Sequence, residues 1–138
     1  MTSQPLAIVI ANRRSTVTNV VWVEQPAGTG FSTVGSATPA PQNETEVAEQ
    51  FLGFFKNFVE TFSLQGRKVY VTGESYAGFY VPYIADAMHK ANDKTHFNID
   101  SIMFYDPSTT YGAVQNDMPA VPFVQYWQNV IRPLSDRT

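Results

Sequence analysis

The sequence predicts an α/β fold with parallel strands, and two observations carry this prediction. Apolar, β-prone runs alternate along the chain with segments in which apolar residues recur every three or four positions. Within residues 67–83, RKVYVTGESYAGFYVPY, a strand-like run is joined to a helical pattern by a tight turn. Strand and helix in alternation favour a parallel sheet with right-handed crossovers.

The first 24 residues hold two apolar runs. The Pro5–Ile10 run is compatible with a buried strand or with a disordered leader, and residues 1–16 are left as an unplaced segment. The continuous β-branched run Val17–Glu24 predicts a strand buried on both faces, at the start of a domain over residues 17–138. The loop Pro26–Gly30 ends this strand. Its Gly-Thr-Gly lacks the third glycine of a dinucleotide site, so no nucleotide cofactor is expected.

A long helix is predicted to begin at Asn43, after a loop rich in proline and alanine. Glu46 lies three residues further on, which makes a capping box. The following apolar residues recur at helical spacing and predict a face packed on the sheet: Val47, Phe51, Leu52, Phe54, Phe55, Phe58 and Phe62. Asn43-Glu44-Thr45 is also an N-glycosylation sequon, for which a chance match stays open.

The next strand-like run, Lys68–Thr72, leads into a turn centred on Ser75. Small residues lie two before it and two after it, Gly73 and Ala77, with Gly78 next. A serine in such a strand-turn-helix predicts a nucleophile elbow, because small neighbours let strand and helix pass closely. The backbone N–H of Tyr76 would then lie at a helix N-terminus, where it can point at a developing oxyanion. A five-residue match alone more often marks an ordinary turn, so the flanking residues matter.

Downstream, the residues that follow the second helical pattern form a polar break at 92–96. Ile99–Tyr105 predicts a strand that Asp106–Ser108 ends. Residues 111–120 are expected to be loop, and 121–131 a helix in its early turns.

The flanking residues carry a family resemblance. GESYAGFYVP resembles the active-serine signature of the serine carboxypeptidases, an α/β-hydrolase family, and Asn19–Ser32, NVVWVEQPAGTGFS, is similar to that family's other well-known block. Both blocks come in the family's order, and the resemblance extends from about Val17 to about Ile131. It implies a partial α/β-hydrolase fold with a mostly parallel sheet, and serine-type proteolysis that releases C-terminal residues from peptides.

The resemblance also implies roles for three residues. Ser75 would be the nucleophile, the Tyr76 N–H an oxyanion donor, and Glu74 the group that binds the C-terminal carboxylate of the substrate. Two facing carboxylates must share a proton, so such a site works best in acid. This suits a vacuolar or extracellular protease of the secretory pathway, although the chain shows no convincing signal peptide and contains no cysteine, whereas the family's secretory members have disulfides.

The chain also departs from the family pattern. The family's catalytic Asp and His lie far downstream of the nucleophile, and its glycine-rich oxyanion loop precedes the first block, where Asn12-Arg13-Arg14 stands here. His89 would lie about 21 Å along the helix from Ser75, and His96 beyond the end of that helix. Asp106 and Asp117 would then have no histidine to orient. We therefore expect the isolated 138-residue chain, as a fragment, truncated product or pseudoenzyme, to be inactive.

Composition excludes several classes of function. A net charge of −3 is too small to favour nucleic acid, and no apolar run approaches the length of a membrane span. With two histidines and no cysteine, a zinc site is not expected, nor is any cofactor. Two alternatives to the peptidase stay open: a serine esterase or acyltransferase of the same fold, and a non-catalytic product that binds peptides or a partner.

Overall fold

The computed structural model describes residues 8–9, 19–35 and 39–127. Four strands and three α-helices alternate along them, with one short π-helix. In order they are β1 (Ile8–Val9), β2 (Trp22–Val23), α1 (Glu44–Thr61), β3 (Val69–Glu74), α2 (Ala77–Ala91), β4 (Ile99–Tyr105), the π-helix (Ala113–Asp117) and α3 (Met118–Trp127).

The described strands form two separate pairs. β3 and β4 are parallel, with Glu74 opposite Tyr105, so that their carboxyl ends lie at the same edge. β1 and β2 are antiparallel, with Ile8 opposite Val23. The predicted α/β class is confirmed, as is the parallel pairing of the strands around α2. The described strands do not form one mostly parallel sheet, because β2 pairs antiparallel with β1 and not with β3.

The predicted strand Val17–Glu24 is much shorter than expected. Of its described residues only Trp22 and Val23 are in a strand. Val20 is 44% exposed and Trp22 45% exposed, so the prediction of burial on both faces was wrong. The physical reason is that one face of β2 is covered and the other is not: Val23 packs against the core, whereas Trp22, on the opposite face, is exposed. A doubly buried strand needs a layer over each face.

Helix α1 begins as the capping box predicted. The Asn43 side chain accepts a hydrogen bond from the Glu46 N–H at 3.0 Å, and the Asn43 amide donates to the Glu46 carboxylate at 2.9 Å. The other Glu46 oxygen accepts from the N–H of Gln42 at 2.8 Å. These bonds satisfy donors that a helix start leaves without partners, and they hold the first turn of α1 firmly.

The core lies between α1, α2 and one face of the β3–β4 sheet. It is formed by buried side chains from both helices and from the segment before β4: Ala48, Phe51, Ile84, Met88 and Phe97. Val69 and Val71 pack against it from alternate positions of β3, while Tyr70 between them is exposed. The predicted aromatic stripe is therefore largely confirmed, although its last member, Phe62, is 54% exposed.

The C-terminal part of the described chain is more helical than expected. The predicted loop over residues 111–120 was wrong, because a π-helix begins at Ala113 and α3 at Met118. Pro119 favours a loop on sequence alone, but the π-helix Ala113–Asp117 runs directly into α3, so the proline follows a wider helical turn and does not end the helix. The predicted helix over 121–131 is confirmed as far as Trp127, and its last residues lie outside the described part.

Candidate active site

Ser75 occupies a strained turn at the carboxyl edge of the parallel sheet. We call residues 73–78 the Ser75 turn. Ser75 follows the last residue of β3 and has φ +56°, a left-handed conformation that serine rarely adopts and that costs about 1–3 kcal/mol. Three backbone hydrogen bonds hold it: its N–H donates to the Tyr105 carbonyl at 3.1 Å, and its own carbonyl accepts from the N–H groups of Gly78 and Ser108, each at 2.9 Å.

Two close approaches explain the small residues of this turn. A Cβ on Gly73 would overlap the Cβ of Ala77 and lie 3.2 Å from Cγ2 of Val81. A Cβ on Gly78 would overlap the Ser108 carbonyl oxygen and lie 2.7 Å from the Cβ of Pro107. Gly73 therefore lets α2 cross β3 at short range, and Gly78 lets the segment after β4 pack on the turn.

Tyr76 is the N-cap residue of α2, so its backbone N–H is one of the donors that have no acceptor within the helix. Its side chain is half exposed, and its hydroxyl donates to Glu44 Oε1 at 2.8 Å. This hydrogen bond is the main reason that the pKa of Tyr76 is raised. The pKa of Tyr80 is also raised, chiefly by burial and to a smaller extent by the charge of Glu44.

Glu74 ends β3 and is exposed. The alternation along β3 places it on the same face as Tyr70 and Thr72, away from the core helices. Its carboxylate and the Ser75 hydroxyl are thus carried by consecutive residues at an open edge. The structure brings Gly73, Glu74, Ser75, Tyr76, Ala77 and Gly78 together in one turn, as their adjacency requires.

Neither histidine of the chain lies at this edge. His89 is in the last turn of α2 and is exposed. His96 lies at the amino edge of the β3–β4 sheet, where Nδ1 is 2.6 Å from Asp93 and Nε2 is 3.3 Å from Glu60. Asp106 does lie at the Ser75 edge, directly after Tyr105, while Asp117 is at the end of the π-helix.

The loop segment 24–32, directly after β2, is closed by a glutamate. Glu24 Oε2 accepts from the Phe31 N–H at 2.6 Å, and the buried Ser32 hydroxyl donates to the Glu24 carbonyl at 3.1 Å. Gly28, with φ +98°, donates its N–H to the Ser32 carbonyl. The loop is a compact turn held by its own side chains, and its glycines serve that turn.

Sequence reasoning missed two contributors to the Ser75 turn. Ser108 binds the Ser75 carbonyl through its backbone, for which no side-chain pattern could give a signal. Glu44 lies 32 residues before Tyr76, and in the sequence it is marked only as the middle residue of a sequon. Within residues 19–35 and 39–127 no cluster of three or more metal-ligating side chains occurs, and no helix there is long and apolar enough to span a membrane.

Comparison with known proteins gives one consistent result. A family model described as serine carboxypeptidase matches residues 12–131. The chain is 48% identical over 124 residues to the "Probable serine carboxypeptidase" of Arthroderma benhamiae, an alignment that covers 83% of this chain and 23% of that protein. It is 50% identical over 110 residues to "Serine-type carboxypeptidase F" of Aspergillus niger, covering 79% of this chain and 20% of that one.

A plant protein is similar at lower identity. "Serine carboxypeptidase-like 36" of Arabidopsis thaliana is 38% identical over 91 residues, which are 65% of this chain and 19% of that protein. The chain therefore spans about a fifth of the length of the curated relatives it matches.

Proposed function

The chain belongs to the serine carboxypeptidase family, and from that premise we propose that it carries the nucleophile-bearing segment of a serine-type carboxypeptidase. The reaction is hydrolysis of the last peptide bond, with release of the C-terminal residue. The observation that carries the proposal is the Ser75 turn, where a serine with φ +56° stands between β3 and α2 at the open edge of the sheet. Such a turn serves as a nucleophile elbow.

The chemistry that we propose for the turn combines its geometry with the roles that the family resemblance implies. In the whole enzyme a histidine base takes the proton of the Ser75 hydroxyl as its oxygen attacks the scissile carbonyl. The peptide C–N bond then breaks, the C-terminal residue leaves with that proton on its amine, and water hydrolyses the acyl-enzyme. The negative charge that develops on the carbonyl oxygen is stabilised by the Tyr76 N–H, which lies at the positive end of the α2 dipole. Glu74, exposed beside Ser75, binds the substrate's terminal carboxylate by sharing a proton with it.

The 138-residue chain alone, in this proposal, has no peptidase turnover. The nucleophile needs a histidine base within hydrogen-bond reach. Both histidines of the chain lie elsewhere: His89 at the far end of α2, and His96 between Asp93 and Glu60 at the opposite edge of the sheet. The same observation favours a second candidate function for the isolated chain, a non-catalytic product that binds peptides or a partner.

A probe experiment tests the absence of turnover. The chain and its Ser75→Ala variant are incubated with a fluorophosphonate, and separately with a free and a C-terminally blocked peptide. We expect neither rapid labelling nor peptide cleavage. Rapid stoichiometric labelling that disappears in Ser75→Ala would overturn this part of the proposal, because it would require a base close to Ser75.

A chimera tests the assignment of the nucleophile. The aligned segment of the Arthroderma benhamiae relative is replaced by the matching residues of this chain. We expect a chimera that cleaves free peptides but not blocked ones, and that loses activity in Ser75→Ala. A folded chimera without activity, beside an active parent enzyme, would contradict the assignment.

The proposal includes a location in the secretory pathway, either vacuolar or extracellular, and a glycan on Asn43. The location rests on the family resemblance. The glycan is supported by the exposure of Asn43 at the start of α1. The Asn43 amide nitrogen, which would carry the sugar, donates one hydrogen bond to Glu46.

A further inference from the structure

Glu44 and Tyr76 connect two helix starts that are far apart in sequence. Glu44 is the first residue of α1, and Tyr76 is the N-cap of α2. The Tyr76 hydroxyl donates to Glu44 Oε1 at 2.8 Å, which is an ordinary length for an O–H···O bond. Tyr76, the residue after Ser75, is therefore bound by a residue of α1, outside the Ser75 turn.

The acceptor stands on a fixed support. The first turn of α1 is held by the hydrogen bonds between Asn43 and Glu46. A carboxylate in the first turn is also favoured by the helix dipole, and a hydrogen bond to a carboxylate is stronger than one between neutral groups. Glu44 thus offers a carboxylate acceptor in a helix turn that the Asn43–Glu46 hydrogen bonds hold.

The donor side chain is held along its length. The Tyr76 ring centroid lies 5.1 Å from that of Phe79 and 4.9 Å from that of Tyr80. Both neighbours belong to the first turns of α2. With the ring against α2 and the hydroxyl on Glu44, the Tyr76 side chain has contacts at both ends. The peptide unit that carries its N–H also carries the Ser75 carbonyl, which accepts from Gly78 and Ser108.

We infer that Glu44 is a positioning residue, which acts through the Tyr76 hydroxyl to fix the backbone N–H beside Ser75. This role rests on the proposed function, in which that N–H stabilises the oxyanion. An oxyanion donor contributes most when its direction is set before the reaction begins. Glu44 need not touch the substrate for this effect.

The test measures the Ser75 turn directly in the 138-residue chain labelled with ¹⁵N. Hydrogen exchange is followed at the amides of Ser75 and Gly78, which donate to Tyr105 and to Ser75, with the amide of Ile84 as the reference for the core. The chemical shift of the Tyr76 N–H reports its own surroundings. The variants are Glu44→Ala, Tyr76→Phe, both together, and the conservative Glu44→Gln.

We expect Glu44→Ala and Tyr76→Phe each to speed exchange at Ser75 and Gly78 by about 2- to 10-fold relative to Ile84, the range expected for one lost hydrogen bond. The double variant should be no faster than either single one, because both remove the same bond. Glu44→Gln retains an acceptor and should restore most of the protection. Glu49→Ala, at an exposed site on the same helix, should leave the exchange rates at Ser75 and Gly78 unchanged.

Two results would overturn the inference. One is unchanged exchange and an unchanged Tyr76 N–H shift in Glu44→Ala. The other is an equal rise in the exchange rate at Ser75, Gly78 and Ile84, or global unfolding of the variant. Either would mean that the bond stabilises the fold as a whole and not the Ser75 turn in particular. These readouts do not depend on Ser75 being a nucleophile, so failure here is distinct from an inactive chimera, which tests the proposed function itself.

Discussion

His96 Nδ1 lies 2.6 Å from a carboxylate oxygen of Asp93, at the end of α2 and before β4. The Asp93 carboxylate also accepts from the backbone N–H groups of Thr95 and His96, at 3.0 and 3.2 Å. The hydrogen bond from the His96 side chain is the main reason that the pKa of Asp93 is lowered. Since the lowered pKa belongs to the folded state, this carboxylate stabilises the fold above its unfolded pKa of about 3.9.

From the sign of that shift we predict a specific loss of stability in acid. As pH falls from about 5 to below the folded pKa of Asp93, its contribution disappears. Chemical denaturation at several pH values measures the free energy of unfolding. Between pH 5 and 3 this free energy should fall less for Asp93→Asn and for His96→Gln than for the wild-type chain. Asp86→Asn, which removes an exposed pair with Lys90, should follow the wild type. Parallel curves for Asp93→Asn and wild type would contradict the prediction.

A pair of glycine substitutions tests the close approach of α2 to β3. Gly73→Ala should lower the free energy of unfolding by about 1–3 kcal/mol, because the new Cβ overlaps Ala77 and the packing cannot relax without moving the helix. Gly53→Ala, at an exposed position of α1 with nothing within 4 Å of the new Cβ, should raise it by about 0.5–1 kcal/mol. Urea titrations of both variants give the comparison, and equal effects would mean that the approach at Gly73 is looser than described.

The two roles of Asn43 can be separated by substitution. Asn43→Ala should lower the free energy of unfolding by about 1 kcal/mol, because the Glu46 N–H loses its acceptor. Asn43→Asp keeps an acceptor for the Glu46 N–H and should change the free energy of unfolding little. Thr45→Ala leaves the cap in place and removes only the sequon.

Expression through a secretory pathway, followed by glycosidase treatment, then tests the glycan. Wild type should shift in mass, whereas Asn43→Asp and Thr45→Ala should not. A wild-type chain without a shift would remove the proposed glycan and leave the cap unaffected.

Glu74→Gln in the chimera tests the shared-proton role. A glutamine cannot supply the proton that a carboxyl group shares with the substrate's terminal carboxylate in acid. We expect kcat/KM for a free peptide to fall more at acid pH than near neutrality, mainly through KM. An equal loss at every pH would show that Glu74 acts in some other way.

The local elements could be predicted from sequence because each carries its own signal. The capping box placed the start of α1 at Asn43, and the run Ile99–Tyr105 gave β4 with both of its ends. The small residues around Ser75 predicted that it lies in a turn between a strand and a helix. The pairing of β2 could not be foreseen, because the run Val17–Glu24 gives no information on which strand lies beside it. The hydrogen bond between Glu44 and Tyr76 could not be foreseen either, because both residue types occur at the surface in many different environments.

The bond from the Ser108 N–H to the Ser75 carbonyl has a consequence for synthesis of the chain. Roughly 30 residues separate its partners, which a ribosome adds in a few seconds at about 5–20 residues per second. Until Tyr105 and Ser108 emerge, Ser75 lacks two of the three bonds that hold its left-handed conformation. We therefore expect the nascent serine to relax into an ordinary backbone conformation and to acquire its final geometry only when the later strand docks.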